Sequence, residues 1–346
     1  MSLLQTDKVR FAICGFGHIG KRHAAMISRN PESELVAVVD VDPAQAAAAA
    51  EYGVPFYPSL EAYLAQGPAA DVVNIASPNN FHAPQAMAAI QAGRHVVIEK
   101  PMGLSKAECE DVIFAALQAH KLAFCVMQNR YSPPSVWLKE MVSSGRLGKI
   151  YMVQVNCYWN RDARYYKAGG WKGHLGTDGG TLFTQFSHFI DIMFWLFGDI
   201  RNVQARFFDF NHQSLTEFED SGLVTFDFAK GGAGCINFST SVYDTNLESS
   251  ITIVAEHGSI KVGGQYMNEV EYCHVKDYQM PELPESSPAN DYGHYKGSAA
   301  NHHFVIENVV DTLKGRNVAT TNALEGLKVV EIIEKIYEQK KSAGKP

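Results

Sequence analysis

Three glycines, Gly15, Gly17 and Gly20 in the hexapeptide GFGHIG, follow the apolar run KVRFAIC and open a helix-compatible span from Ile19 to Arg29. This spacing suits a turn that cradles phosphate. Gly15 permits a tight turn, Gly17 lets main-chain N–H groups approach a pyrophosphate at a helix N-terminus, and Gly20 lets the helix sit close to the strand. The next strand ends at Asp40, about twenty residues on, where a carboxylate can accept hydrogen bonds from adenosine ribose hydroxyls. That carboxylate would repel a 2'-phosphate, so NAD is preferred to NADP, with Asp42 near enough to leave the partner open. The whole hexapeptide, with Phe16, His18 and Ile19, is a candidate cofactor loop; the alternative is a glycine turn with no ligand. As side chains, His18 and His23 read as loop and helix-surface residues.

Two later strand ends add chemistry to that edge. IASPNNFH, residues 75–82, follows the strand DVVN, and loops at the carboxyl edge of an open parallel sheet line the nucleotide crevice. Ser77, Pro78, Asn79 and His82 are candidate contacts to the nicotinamide ribose; the alternative is a helix start capped by Asn79 or Asn80, with His82 incidental. The run HVVI then stops at Glu99, Lys100 and Pro101. As the next parallel strand it points into the same crevice, so Lys100 should lie beside the nicotinamide. The proline restricts the lysine backbone to extended conformations, and Glu99 can hold or polarise the ammonium.

The elements that must position these groups are legible as pattern. Apolar strands alternate with helices through the first third of the chain, which implies a parallel sheet covered on both faces, an α/β dinucleotide-binding domain of the Rossmann kind over residues 1–130. After Tyr131 the texture changes to longer strands: KIYMVQVNCYW, NVQARFFDF, SGLVTFDFA, GAGCINFSTSV, SSITIVAE, GSIKVGG and NEVEYCHV. They predict an open-faced, mostly antiparallel α+β domain over 131–310, interrupted by a helix from Leu182 to Phe197. Residues 311–346 form a last helix expected to pack back on the first domain, and MPELPESSPANDYGHYKGSAAN reads as a long surface loop. The 346 residues, 46% hydrophobic, suit two cores; a net charge of −7 gives no basic field for nucleic acid. Six cysteines without a CxxC pair suggest reduced core residues and a cytoplasmic chain, with no apolar stretch long enough to span a membrane and no metal site.

GFGHIG, SPNNFH, the EKP tripeptide and GGTLFTQFSHFIDIMFWLFG together resemble the Gfo/Idh/MocA family of NAD(P)-dependent oxidoreductases. The resemblance spans nearly the whole chain and implies that Lys100 and His188 serve the reacting hydroxyl. From the residues alone, His188 follows the Gly179-Gly180 turn, and Asp191 one turn later can orient its ring or face a neighbour. Many members carry an aspartate four residues before this histidine; here Thr184 stands there, followed by Gln185. With YWNRDARYY, GGWKG, NLESSITIVAEHGSIKVGG and Asn268, the chain resembles the branch that oxidises UDP-N-acetyl-glucosaminuronate at C3', the WlbA/WbpB type, a step before transamination in surface polysaccharide synthesis.

Such a substrate needs cationic and amide donors. Asn160, Arg161, Tyr166 and Lys172 are the candidates, beside Thr184, Gln185, His188 and Lys100; an exposed polar loop is the alternative, and Arg164 and Arg130 are further possibilities. Tyr158, Trp159 and Trp171 either wall a sugar pocket or pack in the core. Either Lys100, neutral, removes the proton of the C3' hydroxyl while hydride leaves C3' for the nicotinamide, or His188 removes it while charged Lys100 stabilises the developing alkoxide. The resemblance also implies NAD(H) retained between turnovers and reoxidised by a second substrate such as 2-oxoglutarate. A dehydrogenase of free sugars or inositols, and a non-catalytic NAD-dependent regulator, are the competing readings. The uncovered sheet face predicts a dimer or tetramer.

Overall fold

The computed structural model describes residues 7–342 apart from 168 and 294. By compactness the chain forms two units, Met1–Met127 with His302–Val330, and Gln128–Asn301 with Glu331–Pro346.

In the first unit β1 (Val9–Cys14), α1 (His18–Arg29), β2 (Ser33–Val39), α2 (Gln45–Glu51), β3 (Phe56–Tyr57), α3 (Leu60–Gln66), β4 (Val72–Ile75), α4 (His82–Gln91), β5 (His95–Ile98), α5 (Lys106–Gln118) and β6 (Ala123–Cys125) alternate. The strands lie in the order β3-β2-β1-β4-β5-β6, and every neighbouring pair is parallel. VVNI and HVVI are buried along their whole length, as strands covered by helices on both faces must be. The order reverses between β1 and β4, and loops leaving the carboxyl ends of those two strands flank the crevice where doubly wound sheets take ligands. Cys14, Ile75 and Ile98 stand in register across β1, β4 and β5. Gly15, Ala76 and Glu99 therefore begin three loops side by side.

In the second unit α6 (Pro133–Ser143), β7 (Ile150–Tyr158), α7 (Ser187–Phe197), β8 (Ile200–Phe208), β9 (Ser221–Phe228), β10 (Ala233–Ser239), β11 (Glu248–Ala255), β12 (Gly258–Gly263) and β13 (Glu269–Val275) form a seven-stranded sheet with its helices. Its order is β13-β12-β11-β7-β10-β9-β8. All pairs are antiparallel except β7 with β10, so the mostly antiparallel expectation holds with one exception. Inward residues such as Val153, Val155 and Cys157 alternate with outward ones, and Met152 faces Val254 across β7 and β11 with both exposed.

Two expectations need correction. The predicted helix from Leu182 begins as a π-helical turn, Leu182–Phe186, and only then becomes α7. The predicted long loop is ordered at its end, where β14 (Ala289–Asp291) pairs with β15 (Lys296–Ala299) and Asn290, Ser298 and Asn301 are buried. Ser298 donates to Asn129 and Asn301 to Ser132, so polar side chains that read as surface signals are fastened inward instead. After β15, α8 (His302–Leu313) clusters with the first unit, so residues 302–310 do not group with 131–301; buried Val305, Ile306 and Val309 line its inner face. The last helix, α9 (Ala323–Ser342), has residues up to Val330 in the first unit and the rest in the second. Among the described residues the six cysteines form no disulfide, and no helix is long and apolar enough to cross a membrane.

Candidate active site

The glycine loop can be tested position by position. Gly15 has φ +89°, and a Cβ there would lie 2.5 Å from the Ser77 nitrogen; a Cβ on Gly20 would lie 2.0 Å from the Gly15 oxygen. Both glycines are required by the protein itself. Gly17 is different, since its φ is −71° and an added Cβ would meet nothing within 4 Å. Neither backbone nor packing demands glycine there, whereas a pyrophosphate drawn up to the start of α1 would. That helix has no capping side chain and no acidic residue in its first turn, so its leading N–H groups favour an anion. The loop fits a dinucleotide.

Asp40 closes this region. Its Oδ2 accepts the Phe16 N–H at 2.5 Å and its Oδ1 the Asp42 N–H at 2.8 Å. Asp42 is likewise engaged locally, by the Ala44 N–H and the Gln45 amide. His18 and Ile19 open α1, with His18 exposed.

The loops after β4 and β5 are bound together by His82. Its ring nitrogens lie 2.7 Å from the Pro101 oxygen and 2.8 Å from the Ser77 oxygen. His82 is thus a fully buried strut between SPNN and EKP, not an incidental helix residue. Burial pushes its pKa down against the pull of the two carbonyls. Asn79 is buried in a short 3-10 turn, Pro78 precedes it, and Ser77 donates to Gln85.

Behind Lys100 lies a cluster that the sequence hid. His23, read above as a surface residue, is fully buried, with Nε2 2.7 Å from Glu99 Oε1 and Nδ1 3.0 Å from the Asn74 amide nitrogen. The signal that finds it is spacing: Gly20, Ala24 and Ile27, the other buried residues of α1, share its helix face. Glu99 Oε2 accepts the main-chain N–H of Lys100 at 3.2 Å. The carboxylate therefore grips His23 and the lysine backbone. Burial alone would raise the Glu99 carboxyl, but the His23 ring holds it down at about 2. His302, from α8, lies 3.7 Å from the same carboxylate, and burial pushes its pKa down to about 3. The peptide bond between Lys100 and Pro101 is cis.

In the second unit His188 lies at the start of α7, 2% exposed, and its Nε2 is 3.2 Å from the amide nitrogen of Gln128, which donates to it. Asp191 takes the second of its two expected roles: it clasps Arg130 through Nε at 2.8 Å and Nη2 at 2.5 Å, both side chains buried. The preceding π turn is a site type common where function bends a helix. Its Thr184 hydroxyl donates to Asp178, whose other carboxylate oxygen accepts the Gly173 N–H at 2.8 Å. A carboxylate thus does reach position 184, from six residues upstream in a loop that carries no periodic signal. Gln185 accepts from Arg161 Nε and donates to the Tyr165 hydroxyl, each at 2.7 Å.

The segment carrying Asn160, Arg161 and Tyr166, for which an exposed polar loop is the alternative reading, is mostly interior. Arg161 is 1% exposed, its guanidinium donating to Gln185, Asn160, Asn246 and Lys296 oxygens and lying over the Trp159, Tyr165 and Tyr295 rings. Its donors are thus engaged by oxygens of the protein itself. Tyr166 packs in an aromatic cluster with Tyr165 and Phe218. Asn160 is held by Asn246 and Val242, and Trp159 packs on Phe186 and Phe189. Lys172 stays partly exposed, with Nζ 3.8 Å from the Tyr165 ring centre. Arg164 is exposed between Asp162 and Asp244.

Residues 9–127 match the oxidoreductase family with an NAD-binding Rossmann fold, and residues 136–261 match the GFO/IDH/MocA C-terminal domain. The WlbA dehydrogenase from Chromobacterium violaceum, solved with NADH and UDP-GlcNAcA, is 32% identical at a TM-score of 0.88, covering 99% of this chain and 96% of its own. The chain belongs to the Gfo/Idh/MocA oxidoreductase family. A second family member, the WlbA dehydrogenase from Bordetella pertussis in complex with the same two ligands, is 34% identical at a TM-score of 0.85, with 97% of each chain covered. The D-glucoside 3-dehydrogenase of Escherichia coli is 26% identical over 358 residues, 97% of each chain. Like others in the Gfo/Idh/MocA family, this protein is an NAD-dependent oxidoreductase.

Proposed function

We propose that this NAD-dependent sugar dehydrogenase oxidises the C3' hydroxyl of a UDP-linked N-acetyl-hexosaminuronate to the 3-keto sugar. The observation that carries this reading is the full-length likeness to two WlbA dehydrogenases solved with UDP-GlcNAcA, at 32% and 34% identity. When bound along Gly15, Gly17, Gly20 and Asp40, NAD supplies the hydride acceptor. Lys100 removes the hydroxyl proton if it is neutral; if His188 removes it, Lys100 remains an ammonium and stabilises the alkoxide as charge develops. Glu99 and His82 keep the main chain on either side of Lys100 in place. Thr184, Gln185 and Lys172 are the proposed sugar contacts, with Arg161, Asn160 and Tyr166 holding the wall behind them. We place the reaction in surface polysaccharide synthesis in the cytoplasm, with 2-oxoglutarate as second substrate. The exposed row containing Met152 and Val254 supports a dimer or tetramer.

Likeness to D-glucoside 3-dehydrogenase supports a second reading, oxidation of a sugar without a nucleotide at the equivalent carbon. Absorbance at 340 nm separates them. A rise on adding UDP-N-acetyl-glucosaminuronate with NAD, reversed by 2-oxoglutarate, is expected; a rise with a free glucoside or inositol alone would replace the first reading by the second.

A further inference from the structure

Tyr337, near the end of α9, touches the π turn of the second unit. Its hydroxyl accepts the N–H of Leu182, the first residue of the π turn, at 3.0 Å. The same hydroxyl donates to Glu219 Oε1 at 2.6 Å. Glu219 is 3% exposed, and its Oε2 accepts from Lys340 Nζ at 2.8 Å, one helical turn beyond Tyr337. Its main-chain oxygen accepts the Thr181 hydroxyl at 2.6 Å. The Tyr337 ring stacks on Phe183, within the turn, and on Phe207 of β8. Gly180, at φ +127°, leaves room for this contact, since a Cβ there would stand 2.6 Å from the Tyr337 oxygen.

A helix start leaves its first N–H groups without intrahelical acceptors. Here a hydroxyl from the last helix meets one of them, and a buried carboxylate holds that hydroxyl in orientation. Together they stand at the start of the π turn, ahead of Thr184, Gln185 and His188. A shift of about an ångström in groups that address a substrate can cost orders of magnitude in rate.

We propose that Tyr337, oriented by Glu219 and Lys340, is a positioning residue that sets the geometry of the π turn and thereby the rate of sugar oxidation. It touches no reacting atom. The inference rests on the reading in which the π turn and His188 address the sugar.

The test uses the full-length enzyme with NAD and UDP-N-acetyl-glucosaminuronate, or a glucoside if that is what the wild type oxidises. Tyr337→Phe keeps the ring stacked and removes the hydroxyl alone. We expect kcat per folded molecule to fall about five- to tenfold, with NAD affinity near wild type and the thermal midpoint lowered, because the Leu182 N–H and Glu219 lose their shared partner. Glu219→Gln, which retains an acceptor for the hydroxyl, should keep most of kcat, whereas Glu219→Leu should fall with Tyr337→Phe. Wild-type kcat in Tyr337→Phe, or a drop in thermal midpoint with kcat per folded molecule unchanged, overturns the proposal. His188→Asn separates the two ideas. If it is inactive while Tyr337→Phe is normal, only this inference fails; if it turns over like wild type, the underlying reading fails and takes the inference with it.

Discussion

The glycine loop of the first unit and the π turn of the second are both proposed ligand sites, yet they are built in opposite ways. The loop is made by backbone: Gly15 needs positive φ, Gly20 needs close approach, and Gly17 needs nothing from the protein. The π turn is made by side chains arriving from far along the chain, with Asp178 on Thr184, Arg161 on Gln185 and Gln128 on His188. A backbone site constrains which residues occupy consecutive positions, so it leaves a local signature. A side-chain site constrains only that partners converge, which any local pattern allows.

The sharpest test of this contrast is chemical. Lys100→Met should lower turnover by about a thousandfold or more while NAD binding, followed by fluorescence, stays close to wild type; wild-type turnover would remove Lys100 from the chemistry. Next in size is the buried Arg130–Asp191 pair that supports α7. Asp191→Ala leaves a guanidinium buried without its carboxylate and should cost about 3–5 kcal/mol in urea unfolding. A loss under about 1 kcal/mol would mean that Arg130 finds other acceptors.

Gly17→Ala probes the backbone site alone. The variant should unfold with an unchanged midpoint and yet bind NAD at least tenfold more weakly, because the methyl occupies ligand space and no protein space. Normal NAD affinity would detach Gly17 from the pyrophosphate. The smallest effect is expected at His302. Its folded pKa, pushed down by burial to about 3, lies below the ordinary value of 6.5, so the unfolded chain binds the extra proton first and stability falls as pH drops through that window. Glu99, held at about 2, adds to the loss at more acidic pH, between the ordinary carboxyl value and its own. His302→Gln should flatten the thermal midpoint between about pH 6 and pH 4 relative to wild type; an identical slope would assign the acid sensitivity elsewhere.

Much of this was readable in the chain. The apolar strands, the glycine fingerprint, Asp40 at the end of β2 and the seven long strands of the second sheet all follow from period and composition. His23 was misread because a histidine in a helix is taken for a polar surface residue, although its spacing from Gly20, Ala24 and Ile27 put it on the buried face. Arg161 and Tyr166 show a related effect: a run of arginines and tyrosines reads as a polar loop, whereas here rings and main-chain oxygens surround the guanidinium. The polar segment before α8 reads as a long surface loop because hydrogen bonds to Asn129 and Ser132, 169 positions away, leave no mark on local composition.

By itself, then, the sequence determined the two sheets, the loop that addresses a dinucleotide and the lysine two residues past β5, since each depends on neighbours a few positions apart. Tertiary structure alone decided that Glu99 would hold His23 and the Lys100 backbone, that Asp178 would reach Thr184, and that Tyr337 would meet Leu182. Those partners lie from six to 155 residues apart, and a hydrogen bond between such positions forms only after packing has already brought the elements together.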